Sequence, residues 1–511
     1  MTTTRSECKI RLLDEVTAFV VGLRGEHLEA LSDRYAVNAA NYFFNPRFKL
    51  GQWDGKIRYF HKNGKTYIYL LDDILPRLVK LGYKVTIEDL RSPAPQPELA
   101  TADMFKDVLH PDTGEPIILR DYQYNNVNNL IEHGNGLIIA STGAGKTLLS
   151  ACLVNSYGKL GLKTLTIVPN QDLIRNTKQD YINCGLDTGE YSGTSKTLEH
   201  QHIVSTWQAL KNNPKIIELF QVILVDECHG AKGNVLQKIL TDHAARIPYR
   251  FGVTGTLPKD PSDVMSIKVA LGPVRGTVTA AELMDRGILA QLHIDVLQLE
   301  EDLRDEYNKF CAEDVVNVKP PTYTAFKDAY FGDFAAEKSY LHRKKDRIEW
   351  IADFLCAKRD TGKGNVLCLV DSIPFGRQLA NIIPNAIFVN GQDVKKSEER
   401  QKIYDLFKNN DDLVVIATVH IAGTGLNIRR IFNLVMVDVG KSFIRVIQAI
   451  GRGLRTAEDK KSVIVTDICG DLKYSKKHLK ERTNYYEEAQ YKYKKHQIDY
   501  VKQMSALDGF E

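Results

Sequence analysis

Ala140-Ser141-Thr142-Gly143-Ala144-Gly145-Lys146-Thr147 is the stretch that decides the fold. Leu137-Ile138-Ile139, running into Ala140, reads as a buried strand, and Leu148, Leu149 and Leu153 open a helix behind it. A strand, a loop of small residues, Gly-Lys-Thr and a helix make a phosphate cradle. Gly143 and Gly145 admit positive φ, so successive backbone N–H groups can turn toward oxyanions, with Ser141, Thr142 and Ala144 completing the loop. The helix N-terminus adds its partial positive charge. Lys146 has the reach for β- and γ-phosphates, and the Thr147 hydroxyl suits Mg²⁺. Ala140 stands where this pattern usually begins with Gly; Ala adopts most conformations that position needs.

Outward from this loop, strands alternate with helices from about residue 115, which implies a parallel α/β sheet. Upstream lies Leu119-Arg120-Asp121-Tyr122-Gln123, where the Gln123 amide suits the N6/N7 edge of adenine and Tyr122 could stack on the ring. Downstream, Thr164–Pro169, Ile203–Gln208 and Val222–Val225 read as further strands. The last delivers Asp226-Glu227-Cys228-His229 at its carboxyl end, where ligands sit in such sheets. Asp226 is placed to hold Mg²⁺ and Glu227 to orient and deprotonate an attacking water. Thr254-Gly255-Thr256 ends another strand, with hydroxyls that could bond the acid loop.

These motifs in this order resemble the first lobe of superfamily 2 helicases of the DEAH/DExH type. The resemblance implies two tandem RecA-like lobes with ATP and Mg²⁺ between them, and a second lobe carrying an arginine motif. Strand–helix alternation does resume: Val366–Val370, Ala386–Gly391, Leu413–Thr418 and Leu434–Asp438 read as strands. Small residues at Ala422–Ile428 offer Gly425 and Asn427 to phosphate or ribose. Gln448-Ala449-Ile450-Gly451-Arg452-Gly453-Leu454-Arg455 matches the family's Gln-x-x-Gly-Arg-x-x-Arg. Two arginines three apart share a helix face, and guanidinium groups on a γ-phosphate are worth about 10³–10⁵ in rate. The expected catalytic set is Lys146, Asp226, Glu227, Gln448, Arg452 and Arg455.

Composition narrows the class. The chain has 511 residues, enough for several domains, and its 68 basic against 64 acidic side chains leave a net charge of only +4. Nucleic-acid binding must therefore rest on local patches. No apolar run approaches a membrane span, the first 26 residues lack a signal-peptide core, and eight scattered cysteines form no C-x-x-C pair. The expectation is a cytoplasmic protein without disulfides, metal cluster or membrane contact.

The front end supplies the patch. Residues 41–65 hold six Lys/Arg against one acid, Asp54, with seven aromatics interleaved. Cations neutralise phosphates and aromatic faces stack bases, so Arg47, Lys49, Trp53, Lys56 and Arg58 are candidate DNA contacts. The competing reading makes Phe43, Phe44 and Phe48 the core of a small domain with the charges as a solvated rim. The tail mixes Lys/Arg with Tyr474, Tyr485, Tyr486, Tyr491, Tyr493 and Tyr500. It reads as one or two helices that either pack a tyrosine stripe or clamp DNA.

Phe44-Asn45-Pro46-Arg47-Phe48-x-x-Gly51-x-Trp53-Asp54-Gly55-Lys56-Ile57-Arg58 resembles the N-terminal domain of the phage T4-type UvsW helicases. That family unwinds D-loops and R-loops and migrates Holliday junctions in phage recombination and replication. The implied function is an ATP-dependent DNA helicase or translocase on branched or forked DNA, in the host cytoplasm if the protein is a phage's. Alternatives are an RNA helicase or a DNA-translocating ATPase subunit without strand separation. The expected organisation is an α+β DNA-binding domain (1–90), a linker (91–114), a first RecA-like lobe (115–285), a connector or insertion (286–345), a second RecA-like lobe (346–470) and a basic helical tail (471–511).

Overall fold

The computed structural model describes residues 6–502 except 40, 112, 194, 313–320, 362–364, 391–409, 411, 420–431 and 441–461. The chain divides into two compact units, Met1–Val278 and Thr279–Glu511.

The first unit is built on a seven-stranded sheet in the order Thr188–Tyr191, His202–Thr206, Thr164–Val168, Val222–Asp226, Tyr249–Thr254, Asn135–Ala140, Val274–Val278. Every pair is parallel. Its central strands are buried along their length, as helices on both faces require. Because the strands run parallel, Asp226, Thr254 and Ala140 leave the sheet at one edge, with the strand ending in Thr254 lying between the other two.

The N-terminal domain of this unit is a mixed four-stranded sheet, Lys65–Tyr67, Thr17–Val21, Glu7–Leu12, Lys84–Asp89. Its edge strand ends at Tyr67, and a 3₁₀ turn, Ile68–Leu70, leads into the helix Leu71–Lys80, with Asp72 and Asp73 favouring its first turn. The domain's core (Ile10, Val20, Phe60, Ile74, Leu78) is continuous with Val269 of the lobe helix Pro261–Leu271, so the domain is fused to the lobe.

The second unit repeats the architecture: Ile387–Val389, Val414–Thr418, Val366–Val370, Asn433–Val437, Ser462–Gly470, Gln291–Leu299, Tyr493–Ile498, again all parallel. Residues 291–299, read from sequence as connector, form a strand of this sheet. The tail is one helix, Lys473–Glu488, followed by the edge strand Tyr493–Ile498 rather than a second helix. That strand is rich in Lys and His because one side of an edge faces solvent. Tyr485, Tyr486, Tyr491 and Tyr500 are buried, so the tyrosines of the tail serve packing. Helices Arg304–Ala312, Tyr323–Ala329 and Phe334–Leu341 gather Phe326, Phe331 and Leu341 with Leu303 and Leu472 into a small cluster of their own. Among the described residues no helix is long and apolar enough to cross a membrane.

Candidate nucleotide site and nucleic-acid surface

The phosphate loop has the predicted geometry. Gly143 and Gly145 take φ of +89° and +81°, and the helix Lys146–Gly158 starts immediately behind them. A Cβ on Gly145 would lie 2.6 Å from Gln123 Nε2, so only glycine fits there. The Ser141 hydroxyl is buried with no hydrogen-bond partner, an acceptor-seeking donor inside the cradle. Thr142 and Thr147 are half-buried on the same loop and Ala144 is buried.

Tyr122 and Gln123 meet a different arrangement from the one expected. Both are buried; Tyr122 Oη and Gln123 Nε2 donate to the Ala144 carbonyl at 3.1 and 3.3 Å, and Gln123 Oε1 accepts from Arg120 N at 2.9 Å. They brace the loop from behind instead of offering free edges to a purine.

Lys146 Nζ lies 3.9 Å from Glu227 Oε1 and 3.5 Å from the Ala140 carbonyl, loose contacts for a cation whose side chain is only 18% exposed. Glu227 occupies the left-handed region at φ +49°, uncommon for a side chain this large, and its N–H donates to Asp226 Oδ1 at 2.9 Å. The two carboxylates are pushed apart electrically. Burial, with the Glu227 charge beside it, raises the Asp226 carboxyl above the ordinary range. Burial works in the same sense on Glu227, but the His229 hydrogen bond and Lys146 override it and hold that carboxyl low.

His229 and Thr254 are site residues that the expected catalytic and cofactor sets left out. His229 Nδ1 is 3.2 Å from Glu227 Oε2 and 3.0 Å from Thr254 Oγ1, and Thr254 Oγ1 donates toward Glu227 Oε2 at 3.4 Å and to Thr256 O at 2.9 Å. Thr254 makes the bond to the acid loop that its hydroxyl suggested, while the part of His229 was not legible, because it depends on the strand Tyr249–Thr254 lying beside Val222–Asp226. Gln448, Arg452, Arg455, Gly425 and Asn427 lie outside the described residues.

On the N-terminal domain, Arg47, Lys49 and Lys56 are exposed. Trp53 and Arg58 are half-buried and bonded within the domain: Trp53 Nε1 donates to Lys56 O at 2.9 Å, and Arg58 Nη2 meets Asp54 at 2.6 Å and Asp33 at 3.5 Å. Phe43 and Phe44 are 50% and 67% exposed, so they are not the domain's core; Tyr59 and Phe60 are.

Residues 116–259 match the family described as Type III restriction enzyme, res subunit; residues 23–88 match DNA helicase UvsW, N-terminal; residues 345–457 match the helicase conserved C-terminal domain. The chain is similar to the ATP-dependent DNA helicase uvsW of Enterobacteria phage T4, 25% identical over 454 residues that cover 86% of each chain. It is also similar to putative helicase 22 of Sulfolobus islandicus filamentous virus, 23% identical over 371 residues, 68% of this chain and 64% of that one. The solved fragment of a putative HsdR subunit of a type I restriction enzyme from Vibrio vulnificus YJ016 shares the fold, with a TM-score of 0.54 and 16% identity over 78% of this chain and 71% of that one.

Proposed function

We propose, from the premise that this chain is an ATP-hydrolysing superfamily 2 DNA helicase resembling the phage T4-type UvsW enzymes, that it remodels branched DNA: forks, D-loops, R-loops and Holliday junctions in phage recombination and replication. Its place of work would be the host cytoplasm. The observation that carries the ATPase chemistry is Lys146 poised beside Glu227 at the mouth of a glycine-cradled loop whose Ser141 hydroxyl is unpaired.

In this reading the loop N–H groups of 141–147 and Lys146 bind the nucleotide's phosphates, and Lys146 exchanges Glu227 for them. Glu227 orients the attacking water and accepts its proton, and His229 and Thr254 keep that carboxylate aimed. Thr147 and Asp226 would hold Mg²⁺, which when bound neutralises phosphate charge; the raised Asp226 carboxyl is a donor that a divalent cation would relieve. Gln448, Arg452 and Arg455 are proposed to stabilise transition-state charge, with Gly425 and Asn427 as further nucleotide contacts. Tyr122 and Gln123 act by setting the Ala144 carbonyl. Arg47, Lys49 and Lys56 are proposed phosphate contacts, with Trp53 and Arg58 shaping the loop that carries them. The branched-DNA assignment is supported by this basic, aromatic surface and by the match of residues 23–88.

The test is ATP turnover and strand separation on single-stranded, forked and four-way DNA, with matched RNA forks alongside. Glu227→Gln and Lys146→Ala are expected to lower turnover by about 10²–10⁴-fold while DNA binding persists. Unchanged turnover in either variant refutes the site, and a preference for RNA forks refutes the substrate.

A further inference from the structure

We infer that Phe43 and Phe44 form a stacking wedge for the terminal base pair of a DNA junction, an inference that rests on the DNA-remodelling reading above. The two rings are half to two-thirds exposed on a domain that buries Tyr59 and Phe60, and Leu50, at the end of the short helix that follows them, is 70% exposed. Exposed apolar groups gathered this way mark a contact surface.

The wedge is built on a packed base. The Phe43 and Phe44 ring centroids lie 4.5 Å apart at 48°. Beneath them Tyr42 meets Phe43 edge-on at 5.7 Å and Phe48 at 4.8 Å. Tyr42 is seated against Gly55 (φ +77°), where a Cβ would come within 2.5 Å of its ring. Asn45 Oδ1 accepts from Arg47 N at 3.0 Å and fixes the turn that follows.

Charge selects the occupant. Arg47 and Lys49 sit on the short helix Pro46–Lys49 that follows Phe44, Lys56 follows the Gly55 that seats Tyr42, and all three are exposed and make no ion pair among the described residues. Asp54, the one acid between 41 and 65, is engaged by Arg58 Nη2 at 2.6 Å and by Lys56 N at 3.1 Å. Exposed aromatic rings on a segment that also carries unpaired cations complement unstacked bases flanked by phosphates. Stacking tolerates any base, so such a wedge reads a junction and not a sequence. Tyr59 Oη bonds Ser262 O at 3.0 Å and Ser266 Oγ at 2.9 Å on the helix Pro261–Leu271, so the wedge moves with the first lobe.

The experiment uses the full chain and a DNA fork with 2-aminopurine at the first paired position. Wild type is expected to unstack the probe and raise its fluorescence. In Phe43→Ala/Phe44→Ala that rise disappears, fork affinity drops about tenfold and strand separation is lost. ATP turnover stimulated by single-stranded DNA and the melting temperature stay unchanged. Phe43→Trp/Phe44→Trp, which keeps the stacking faces, restores all three. A double-alanine variant with the wild-type fluorescence rise and strand separation overturns the wedge; so does a wild-type dimer that the alanine pair dissociates, which would assign the patch to self-association. Absence of DNA-stimulated turnover in wild type is a separate result, one that removes the motor reading itself.

Discussion

His202 sits in a strand of the first sheet, 2% exposed, with Nδ1 2.9 Å from Thr164 Oγ1. Burial pulls its imidazole down from the ordinary value to about 4, against a smaller opposing pull from Asp187. The folded value lies below the unfolded one, so the unfolded chain takes up the proton first. Stability from the neutral ring is therefore whole above about pH 6.5 and drains away as pH falls toward 4, by up to about 3 kcal/mol. The stability difference between wild type and His202→Gln should shrink across that window in urea titrations. A difference constant with pH would contradict the assignment.

Strand ends show how one scaffold position takes two fates. Asp226 closes Val222–Asp226 and Asp438 follows Asn433–Val437, each the fourth strand in its sheet. Glu227 and Asp438 both hold left-handed φ, +49° and +46°. In the first unit the facing cation is Lys146, a flexible stem 3.9 Å away. In the second it is Arg347, fully buried, with two 2.8 Å contacts to Asp438 and a third to Glu301. A fully buried guanidinium held by two carboxylates is costly to displace, so this acid staples where its counterpart is available for chemistry. A second device anchors the tail helix. Glu337, fully buried, accepts from Tyr474 N at 2.8 Å and from Ser475 N and Oγ at 2.6 Å, satisfying the first turn of Lys473–Glu488. Glu337→Ala should lower the stability of the second unit by about 2 kcal/mol in denaturant unfolding, with Glu337→Gln recovering part. A loss below about 0.5 kcal/mol would show that the contact is incidental.

For the molecule as a whole, two compact units predict two unfolding transitions. The C-terminal strand belongs to the second: Tyr493–Ile498 covers Gln291–Leu299, Ile498 and Tyr500 enter the core, and Tyr500 Oη donates to Glu301 at 3.0 Å. Deleting residues 489–511 uncovers that strand and leaves Glu301 short of a donor. Calorimetry of the full chain against the truncation should show the second unit's transition falling by about 5–10 °C and the first unit's unmoved. A tail that is only a solubilising appendage would leave both in place.

Local chemistry fixed what could be read directly. Apolar runs between turn residues, Gly143 and Gly145 before Lys146, and an acid pair at a strand's end determine a parallel sheet and its phosphate loop, because each signal is complete within a few neighbouring residues. Other features need partners far apart in sequence. Gln291–Leu299 becomes a strand by pairing with Ser462–Gly470 on one side and Tyr493–Ile498 on the other, both far along the chain, and Thr254 reaches Glu227 only because their strands are adjacent. The exposure of Phe43 and Phe44 was undecidable from composition, since an aromatic in a small domain serves core and surface equally well. Packing settled it: Tyr59 and Phe60 filled the interior, leaving the other pair to solvent.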